Sequence, residues 1–179
     1  MKSTETLTLA GGCFWCTEAV FLRVKGVQAV ASGYANGQVP NPSYEAVCTG
    51  RTGYAEAIQV EFDPNVVPLK VLLDIFFATH DPTTLNRQGA DVGTQYRSGI
   101  YTTSEPQLEA VQAYVAQLKA DEVFAQPIVT EVEALHNFYL AEPEHQNFYA
   151  CHPYHGYCMA VAGPKVDKLR SAFKPWLAA

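Results

Sequence analysis

In the first part of the chain, the order of polar and apolar residues predicts a strand, a helix and a second strand. Residues 5–10 alternate polar with apolar side chains, which is typical of a short, half-buried strand. Residues 17–25 carry apolar side chains at roughly helical spacing, and Gly26 follows as a stop signal. Residues 27–34 include several small and β-branched residues, which favour a strand.

The next segment predicts a long loop, a strand and a helix. Residues 35–44 are rich in turn formers and indicate a loop. Residues 57–62 alternate cleanly and end at Asp-Pro, as a strand does. An apolar helix is expected over residues 68–79 because proline suits its first position. Residues 80–95 then predict a second long loop, and connections of that length are usually functional.

Beyond this loop the pattern predicts a strand, a capped helix and a further strand. Residues 96–102 form the expected strand. Ser104 with Gln107 three positions later is a capping-box signature, and an apolar stripe at helical spacing follows it. Residues 128–135 alternate again, with acidic side chains on one face, and predict a strand with one wet face.

The order of these elements predicts the fold class. Residues 136–158 show no clear period, and Pro164 begins a last short helix. Up to residue 102 the order is β-α-β-β-α-β, the split arrangement of ferredoxin-like folds. We therefore expect an α+β, two-layer sandwich with a ferredoxin-like core, an added helix and strand, and a loop-rich C-terminal tail. Residues 1–179 are expected to form a single domain.

Composition narrows the class of protein. The chain has 179 residues, of which 48% are hydrophobic and 17% charged, as in ordinary globular proteins. A net charge of −6 without any basic run argues against binding nucleic acid or an anionic membrane. No apolar run approaches the ~18 residues of a membrane span, and the N-terminus resembles no signal peptide, so we expect a cytoplasmic protein.

Five cysteines are an odd number in a chain that is large enough to fold without disulfides. Two of them, Cys13 and Cys16, lie in a C-x-x-C spacing after two glycines. We expect Cys13 in the first turn of a helix, where the helix dipole favours its thiolate and makes it a nucleophile. Phe14 and Trp15 either belong to the core or form the wall of an apolar pocket beside the sulfur.

Four separated motifs resemble, in order, those of the peptide methionine sulfoxide reductase A family, and the resemblance extends from about residue 6 to residue 170. The motifs are Gly-Cys-Phe-Trp at 12–15, Asn-Pro-Ser-Tyr at 41–44 together with residues 49–56, residues 93–98, and Glu-His-Gln at 144–146 together with Gly-Tyr-Cys at 156–158. The resemblance implies that the enzyme reduces the S epimer of methionine sulfoxide, either free or within oxidised proteins, to methionine. It also implies that the enzyme uses no metal or other cofactor and that thioredoxin or a similar dithiol recycles it. We expect a monomer.

The resemblance also implies roles for individual residues. Cys13 is the expected nucleophile, and Glu56 is the acid that protonates the departing oxygen. The expected substrate-binding residues are Phe14 and Trp15 for the methyl group, Tyr44 and Tyr96 for the oxygen, and Asp91. A sulfoxide combines a polarised S–O bond with a small apolar methyl group, so an aromatic wall with donors near the oxygen suits its recognition.

The second thiol of the cycle remains open between two cysteines. Attack of this thiol on the sulfenic acid of Cys13 forms a disulfide. Many members of the family have glycine at the position of Cys16 and carry their recycling thiol in the motif that matches Cys158, which favours Cys158. Cys16 is closer in sequence and is within reach of Cys13. We expect Cys48 to be buried and Cys151 to be incidental.

Two other functions compete with this interpretation. The C-x-x-C pair alone is compatible with a general disulfide oxidoreductase, but no proline-bearing loop of the thioredoxin type can be matched. The four residues Cys151, His152, His155 and Cys158 have the side chains of a zinc site, but their spacing within eight residues matches no defensible ligand pattern.

Overall fold

A six-stranded sheet forms the centre of the computed structural model, which describes residues 3–179. The strands are β1 (Glu5–Gly11), β2 (Val27–Ala35), β3 (Ala55–Phe62), β4 (Arg87–Gln88), β5 (Asp91–Val92), β6 (Ser98–Thr102), β7 (Glu131–Ala134) and β8 (Phe138–Leu140). The helices are α1 (Phe14–Phe21), α2 (Tyr44–Cys48), α3 (Leu69–Thr79), α4 (Glu105–Ala120), α5 (Phe148–Cys151) and α6 (Gly163–Ala172). Strands β4 and β5 form a separate short hairpin.

The order of strands in the sheet confirms the predicted fold class. The order of strands in the sheet is β7-β6-β1-β3-β2-β8. Among the four inner strands β6, β1, β3 and β2, each neighbouring pair is antiparallel. This is the ferredoxin-like arrangement. The predicted added strand is β7, which pairs in parallel with β6, and β8 extends the opposite edge by pairing with β2. Strand β8 was not predicted.

One face of the sheet carries the main hydrophobic core. Leu9 of β1 lies opposite Ile58 of β3, and both are fully buried with apolar side chains of α1, α3, α4 and α6. Burial of each such side chain contributes about 1.5–3 kcal/mol. Because side chains alternate along a strand, Glu56 projects from β3 on the same face as Ile58. The acid is therefore placed on the core side of the sheet.

The opposite face is lined by small residues over which aromatic rings lie. Ala10, Ala57 and Tyr101 belong to a second buried cluster, against which Phe138 packs. A Cβ atom at Gly33 of β2 would lie 2.3 Å from the ring of Phe138. Glycine at this position therefore lets the ring of β8 cross the sheet at close range.

Several element boundaries differ from the prediction. Helix α1 begins at Phe14, and Tyr96 lies in a 3₁₀ turn, Thr94–Tyr96, so that β6 begins only at Ser98. The cap of α4 is confirmed, because the Ser104 hydroxyl accepts a hydrogen bond from the Gln107 N–H at 3.3 Å. No helix among residues 3–179 is long and apolar enough to cross a membrane.

The tail that had no predicted structure contains β8, α5 and several tight turns. A 3₁₀ turn at Pro143–His145 precedes α5, and a π-helical turn at Cys158–Ala162 leads into α6. These elements are too short to show a period in the sequence. The tail nevertheless packs against α1, and it contributes to the site described below.

Candidate active site

The strand-to-helix junction at Gly12 and Cys13 is the foundation of the site. Strand β1 ends at Gly11, and Gly12 has a φ of 91°, a conformation that glycine adopts readily. Cys13 is the N-cap of α1, with extended backbone angles. A Cβ atom at Gly12 would lie 2.6 Å from the side chain of Gln88, so the loop carrying β4 packs closely on the junction.

Glu56 lies buried beside this junction and is only 1% exposed. Its Oε1 accepts a hydrogen bond from the Phe14 N–H at 3.2 Å, whereas its Oε2 has no partner among residues 3–179. Burial, assisted by the charges of Asp91 and Cys16, raises the pKa of Glu56 to about 8, although the Phe14 N–H opposes the shift. At neutral pH the carboxyl group therefore carries a proton that it can donate.

The expectation that the helix terminus keeps Cys13 as a thiolate is wrong for this structure. Cys13 is 8% exposed, and burial raises the pKa of its thiol well above the ordinary value, with Cys16 and Glu56 adding to the shift. A helix N-terminus contributes roughly 0.3–1 kcal/mol, whereas full burial can shift a pKa by ~3–5 units. Burial therefore outweighs the helix dipole, and Cys13 rests as a thiol.

Cys16 is also buried, but its environment acts in the opposite direction. A hydrogen bond from Cys13 and the positive charge of Lys165 lower the pKa of the Cys16 thiol, against the effect of burial. The sulfur of Cys16 also lies 3.8 Å from the hydroxyl of Tyr157. The two thiols of the C-x-x-C pair are thus in contact and have different acidity.

Aromatic rings surround the two sulfurs on one side. The ring of Phe14 is fully buried, 5.4 Å from that of His145. The indole of Trp15 stacks on Phe148 with ring centroids 3.7 Å apart, and its N–H donates to Nδ1 of His145 at 3.2 Å. Trp15 therefore has one face and its nitrogen fixed by the tail of the chain.

Two phenols, Tyr44 and Tyr96, lie on the carboxyl side of the site. Burial raises the pKa of each, and the charges of Glu56, Cys48 and Cys13 add to the shift. Both hydroxyls are therefore protonated and available as donors. The backbone N–H of Tyr44 donates to Glu142 at 3.1 Å, which ties this part of the site to the tail as well.

Asp91 reaches the site through Tyr157. The Tyr157 hydroxyl donates to Asp91 Oδ2 at 2.5 Å and lies between this carboxylate and the sulfur of Cys16. Cys158, the next residue, is fully buried, and the charge of Cys16 contributes to raising the pKa of its thiol. The structure thus brings together all nine of the site residues expected from the sequence.

Comparison with known proteins identifies the class of enzyme to which this arrangement belongs. A family model described as peptide methionine sulfoxide reductase matches residues 5–176. The chain belongs to this family. The peptide methionine sulfoxide reductase MsrA of Polynucleobacter asymbioticus is 52% identical over 178 residues, which cover 99% of this chain and 94% of the relative.

Solved structures agree with this assignment. The reduced form of Mxr1 from Saccharomyces cerevisiae matches with a TM-score of 0.78 and 38% identity, covering 85% of this chain and 87% of Mxr1. Mxr1 in complex with Trx2 matches with a TM-score of 0.56 and 29% identity, over 81% of this chain and 84% of that one. This methionine sulfoxide reductase therefore shares both the fold and the sequence of the family over nearly its whole length.

The remaining cysteines of the reductase lie outside the buried pair. The expectation that Cys48 is buried is wrong: it is exposed at the end of α2, a five-residue helix in which Val47 is the buried residue. Cys151 is exposed as well. Among residues 3–179, the residues that could jointly hold a metal ion are Glu142, Glu144 and His145, and not the set Cys151, His152, His155 and Cys158.

Sequence reasoning missed the parts of the reductase site that the tail supplies. His145, Phe148 and Tyr157 all contact Trp15, and Glu142 supports Tyr44. None of these residues lies in a periodic segment. Two signals in the sequence could have found them: the family motifs at 144–146 and 156–158, which contain His145 and Tyr157, and the density of aromatic residues between positions 138 and 157.

The neutral state of Glu56 has a consequence for stability that Glu56→Gln tests. Between the ordinary carboxyl pKa of 4.5 and the raised pKa of about 8, the folded protein holds a proton that the unfolded chain releases. The free energy of unfolding of the wild type should therefore fall, relative to the variant, by up to roughly 1.4 kcal/mol per pH unit as the pH rises through this window. Urea denaturation at pH 5, 6, 7 and 8 measures the difference.

The matched control is Glu61→Gln, which removes a carboxylate from an exposed position of the same strand. If the difference in the free energy of unfolding between Glu56→Gln and the wild type stayed constant from pH 5 to pH 8, Glu56 would be ionised in the folded protein.

Proposed function

We propose that this reductase acts on the S epimer of methionine sulfoxide, free or within oxidised proteins, as a monomeric, cytoplasmic, single catalytic domain over residues 1–179. The observation that carries the proposal is the buried Glu56 carboxyl, which is protonated at neutral pH and has an oxygen without a partner among residues 3–179 next to Cys13. A proton donor beside a nucleophilic sulfur is what the loss of a sulfoxide oxygen requires. Thiols and a carboxyl supply all the chemistry, so the proposed reaction needs no cofactor.

Substrate recognition is proposed to divide between an apolar and a polar side. Phe14 and Trp15 hold the methyl group, because both rings are packed among other aromatic rings beside Cys13. Tyr44 and Tyr96 donate hydrogen bonds to the sulfoxide oxygen, since both keep their phenolic protons. Asp91 acts by orienting Tyr157, because its carboxylate accepts a hydrogen bond from the Tyr157 hydroxyl.

The reduction step balances without an external acid. As the Cys13 sulfur attacks the sulfoxide sulfur, Glu56 protonates the oxygen, which becomes the hydroxyl of a sulfenic acid on Cys13 when methionine leaves. The proton that the Cys13 thiol loses replaces the one that Glu56 donated. The raised pKa of Cys13 suits this exchange, because the thiol keeps its proton until Glu56 has donated its own and can accept another.

Recycling is proposed to use both candidate thiols in sequence. Cys16 attacks the sulfenic acid first, releasing water and forming a Cys13–Cys16 disulfide, because it contacts Cys13 and has the more acidic thiol. Cys158 then attacks the Cys16 sulfur, frees the Cys13 thiol and leaves a Cys16–Cys158 disulfide. This order differs from the role that the resemblance implies for Cys158, because Cys16 and not Cys158 attacks the sulfenic acid of Cys13.

Thioredoxin or a similar dithiol is the proposed reductant for the final disulfide. The support comes from the relative Mxr1, for which a structure in complex with Trx2 is known. Residues 151–156, which precede the buried Cys158, are exposed, so a protein reductant can reach this stretch of the tail.

Activity on separated epimers tests the proposal directly. The enzyme, supplied with thioredoxin, thioredoxin reductase and NADPH, should reduce S-methionine sulfoxide while R-methionine sulfoxide remains unreduced, because one fixed methyl wall and one fixed proton donor define a chiral site. Chromatography of the methionine formed measures the outcome. Equal rates on both epimers, or reduction of the R epimer alone, would overturn the assignment.

Replacement of the proton donor should slow the first chemical step. Glu56→Gln is expected to release methionine in a single turnover about 10²–10⁴-fold more slowly at pH 7. For the wild type, the single-turnover rate should decline as the pH rises through about 8, where Glu56 loses its proton. Glu61→Gln serves as the control, and an unchanged rate for Glu56→Gln would remove the acid role.

Trapping the disulfides after one turnover without reductant tests the order of the two thiols. Cys158→Ser should accumulate a Cys13–Cys16 bridge, and the wild type should end with a Cys16–Cys158 bridge and a free Cys13, as mapped by mass spectrometry after alkylation. Cys151→Ser, which removes an exposed tail thiol, should behave as the wild type. A wild-type product with a Cys13–Cys158 bridge, or with Cys13–Cys16 alone, would reject the relay.

A further inference from the structure

The buried Glu18 and the half-buried Gln146 lie outside the proposed chemistry and fix the segment of the tail that contacts Trp15. Glu18 lies on α1, one turn after Trp15, and Gln146 lies between the 3₁₀ turn that ends at His145 and helix α5. Neither residue touches the two sulfurs in any hydrogen bond of the described chain. Each forms specific contacts that converge on Ser32 of strand β2.

Gln146 binds the backbone of β2 as a further strand would. Its Oε1 accepts from the Ser32 N–H and its Nε2 donates to the Ser32 carbonyl, both at 2.9 Å. The same Nε2 donates to the Ala141 carbonyl at 3.1 Å, and the Ala141 N–H donates to the Ser32 carbonyl at 2.9 Å. The side-chain amide thus extends the pairing between β2 and β8 past the end of β8.

Glu18 lies on the other side of Ser32. It is 1% exposed, and its Oε2 accepts from the Ser32 hydroxyl at 3.1 Å, so it fixes the residue whose backbone Gln146 binds. Its Oε1 has no hydrogen-bond partner among residues 3–179. Burial raises the pKa of Glu18, and the N–H groups of Asn147 and Phe148, at a turn where Asn147 has a φ of 54°, oppose the shift.

These anchors act on Trp15 through the residues that flank them. His145 precedes Gln146 and accepts the Trp15 indole N–H, and Phe148 follows Asn147 and covers the indole face at 3.7 Å. An indole side chain can adopt several rotamers when nothing contacts it. Contacts at both the ring face and the nitrogen restrict Trp15 to one of them. The orientation of Trp15 is therefore determined by a segment whose own position depends on Glu18 and Gln146.

We propose that Glu18 and Gln146 are positioning residues that orient Trp15 and thereby set the size limit of the methyl pocket. The proposal depends on the proposed function, in which Trp15 forms the wall against the substrate methyl group. Loss of either anchor should allow the indole to tilt and admit a larger alkyl group. The variants should change the preference between substrates and leave the proton donor and the nucleophile in place, because separate contacts hold Glu56 and Cys13.

The first test compares methyl p-tolyl sulfoxide with ethyl p-tolyl sulfoxide, using dithiothreitol as reductant. One methylene can contribute a preference of ~10–200-fold in kcat/KM. In Gln146→Ala and Glu18→Ala this methyl-to-ethyl ratio should fall severalfold, whereas Glu18→Gln, which keeps an acceptor for Ser32, should stay near the wild type. Because the ratio does not depend on the fraction of folded enzyme, general destabilisation leaves it unchanged.

Gln117→Ala is the matched control, since the exposed side chain of Gln117 on α4 donates to Asp121, just past the end of that helix, and the variant should keep the wild-type ratio. The second test reads Trp15 without any turnover. In a Trp176→Phe background, Trp15 is the single tryptophan, and Gln146→Ala and Glu18→Ala should increase its acrylamide quenching.

The two tests separate the inference from the function on which it depends. Increased quenching with a reduced ratio supports the proposal, and unchanged quenching overturns it even if activity falls. Increased quenching with an unchanged ratio shows that the anchors hold Trp15 but that Trp15 is not the methyl wall, which overturns the claim about specificity. Absence of activity in the wild type on both sulfoxides would count against the proposed function.

Discussion

The structure depends on one buried hydrogen bond, from the Phe14 N–H at the start of α1 to the carboxyl group of Glu56 on β3. It joins the first turn of the helix to a central strand at the point where Cys13 enters the site. An isolated carboxylate in such surroundings is strongly disfavoured, so the group keeps its proton instead. The same burial that stabilises the hydrophobic core therefore raises the pKa of Glu56 and keeps it protonated at neutral pH.

Two buried acids on the same side of the sheet show how location separates chemistry from support. Glu56 and Glu18 each have one oxygen bound and one oxygen without a partner among residues 3–179, and burial raises the pKa of both. Glu56 accepts from the Phe14 N–H beside Cys13, whereas Glu18 accepts from the Ser32 hydroxyl of β2. A raised pKa alone therefore does not mark the acid of a site, and the neighbouring groups decide which carboxyl lies next to the sulfur.

The sequence predicted an element correctly where a single local pattern, such as strand alternation, was enough to define it. The alternation of Ile58, Val60 and Phe62 determined the buried face of β3, and by parity it also placed Glu56 there. The tail could not be predicted because side chains bound to distant backbone hold it, as Gln146 does at Ser32. The pKa of Cys13 was misjudged for a related reason: the helix dipole is local, while the burial that outweighs it arises from the whole fold. The resemblance to the family supplied the roles of the tyrosines, which no pattern in this chain would have indicated.

The anchoring of the tail at Gln146 also divides it into two parts of different exposure. Upstream of the anchor, His145 lies in the wall around Trp15. Downstream of α5, residues 152–156 are exposed, with Tyr154 89% exposed and open space around Gly156, before the chain returns to Trp15 at Tyr157. Exposed backbone with few buried contacts opens locally at low cost, whereas backbone bound to a central strand does not. His145 and Tyr157, which both contact Trp15, therefore reach it from stretches of chain that differ in local stability.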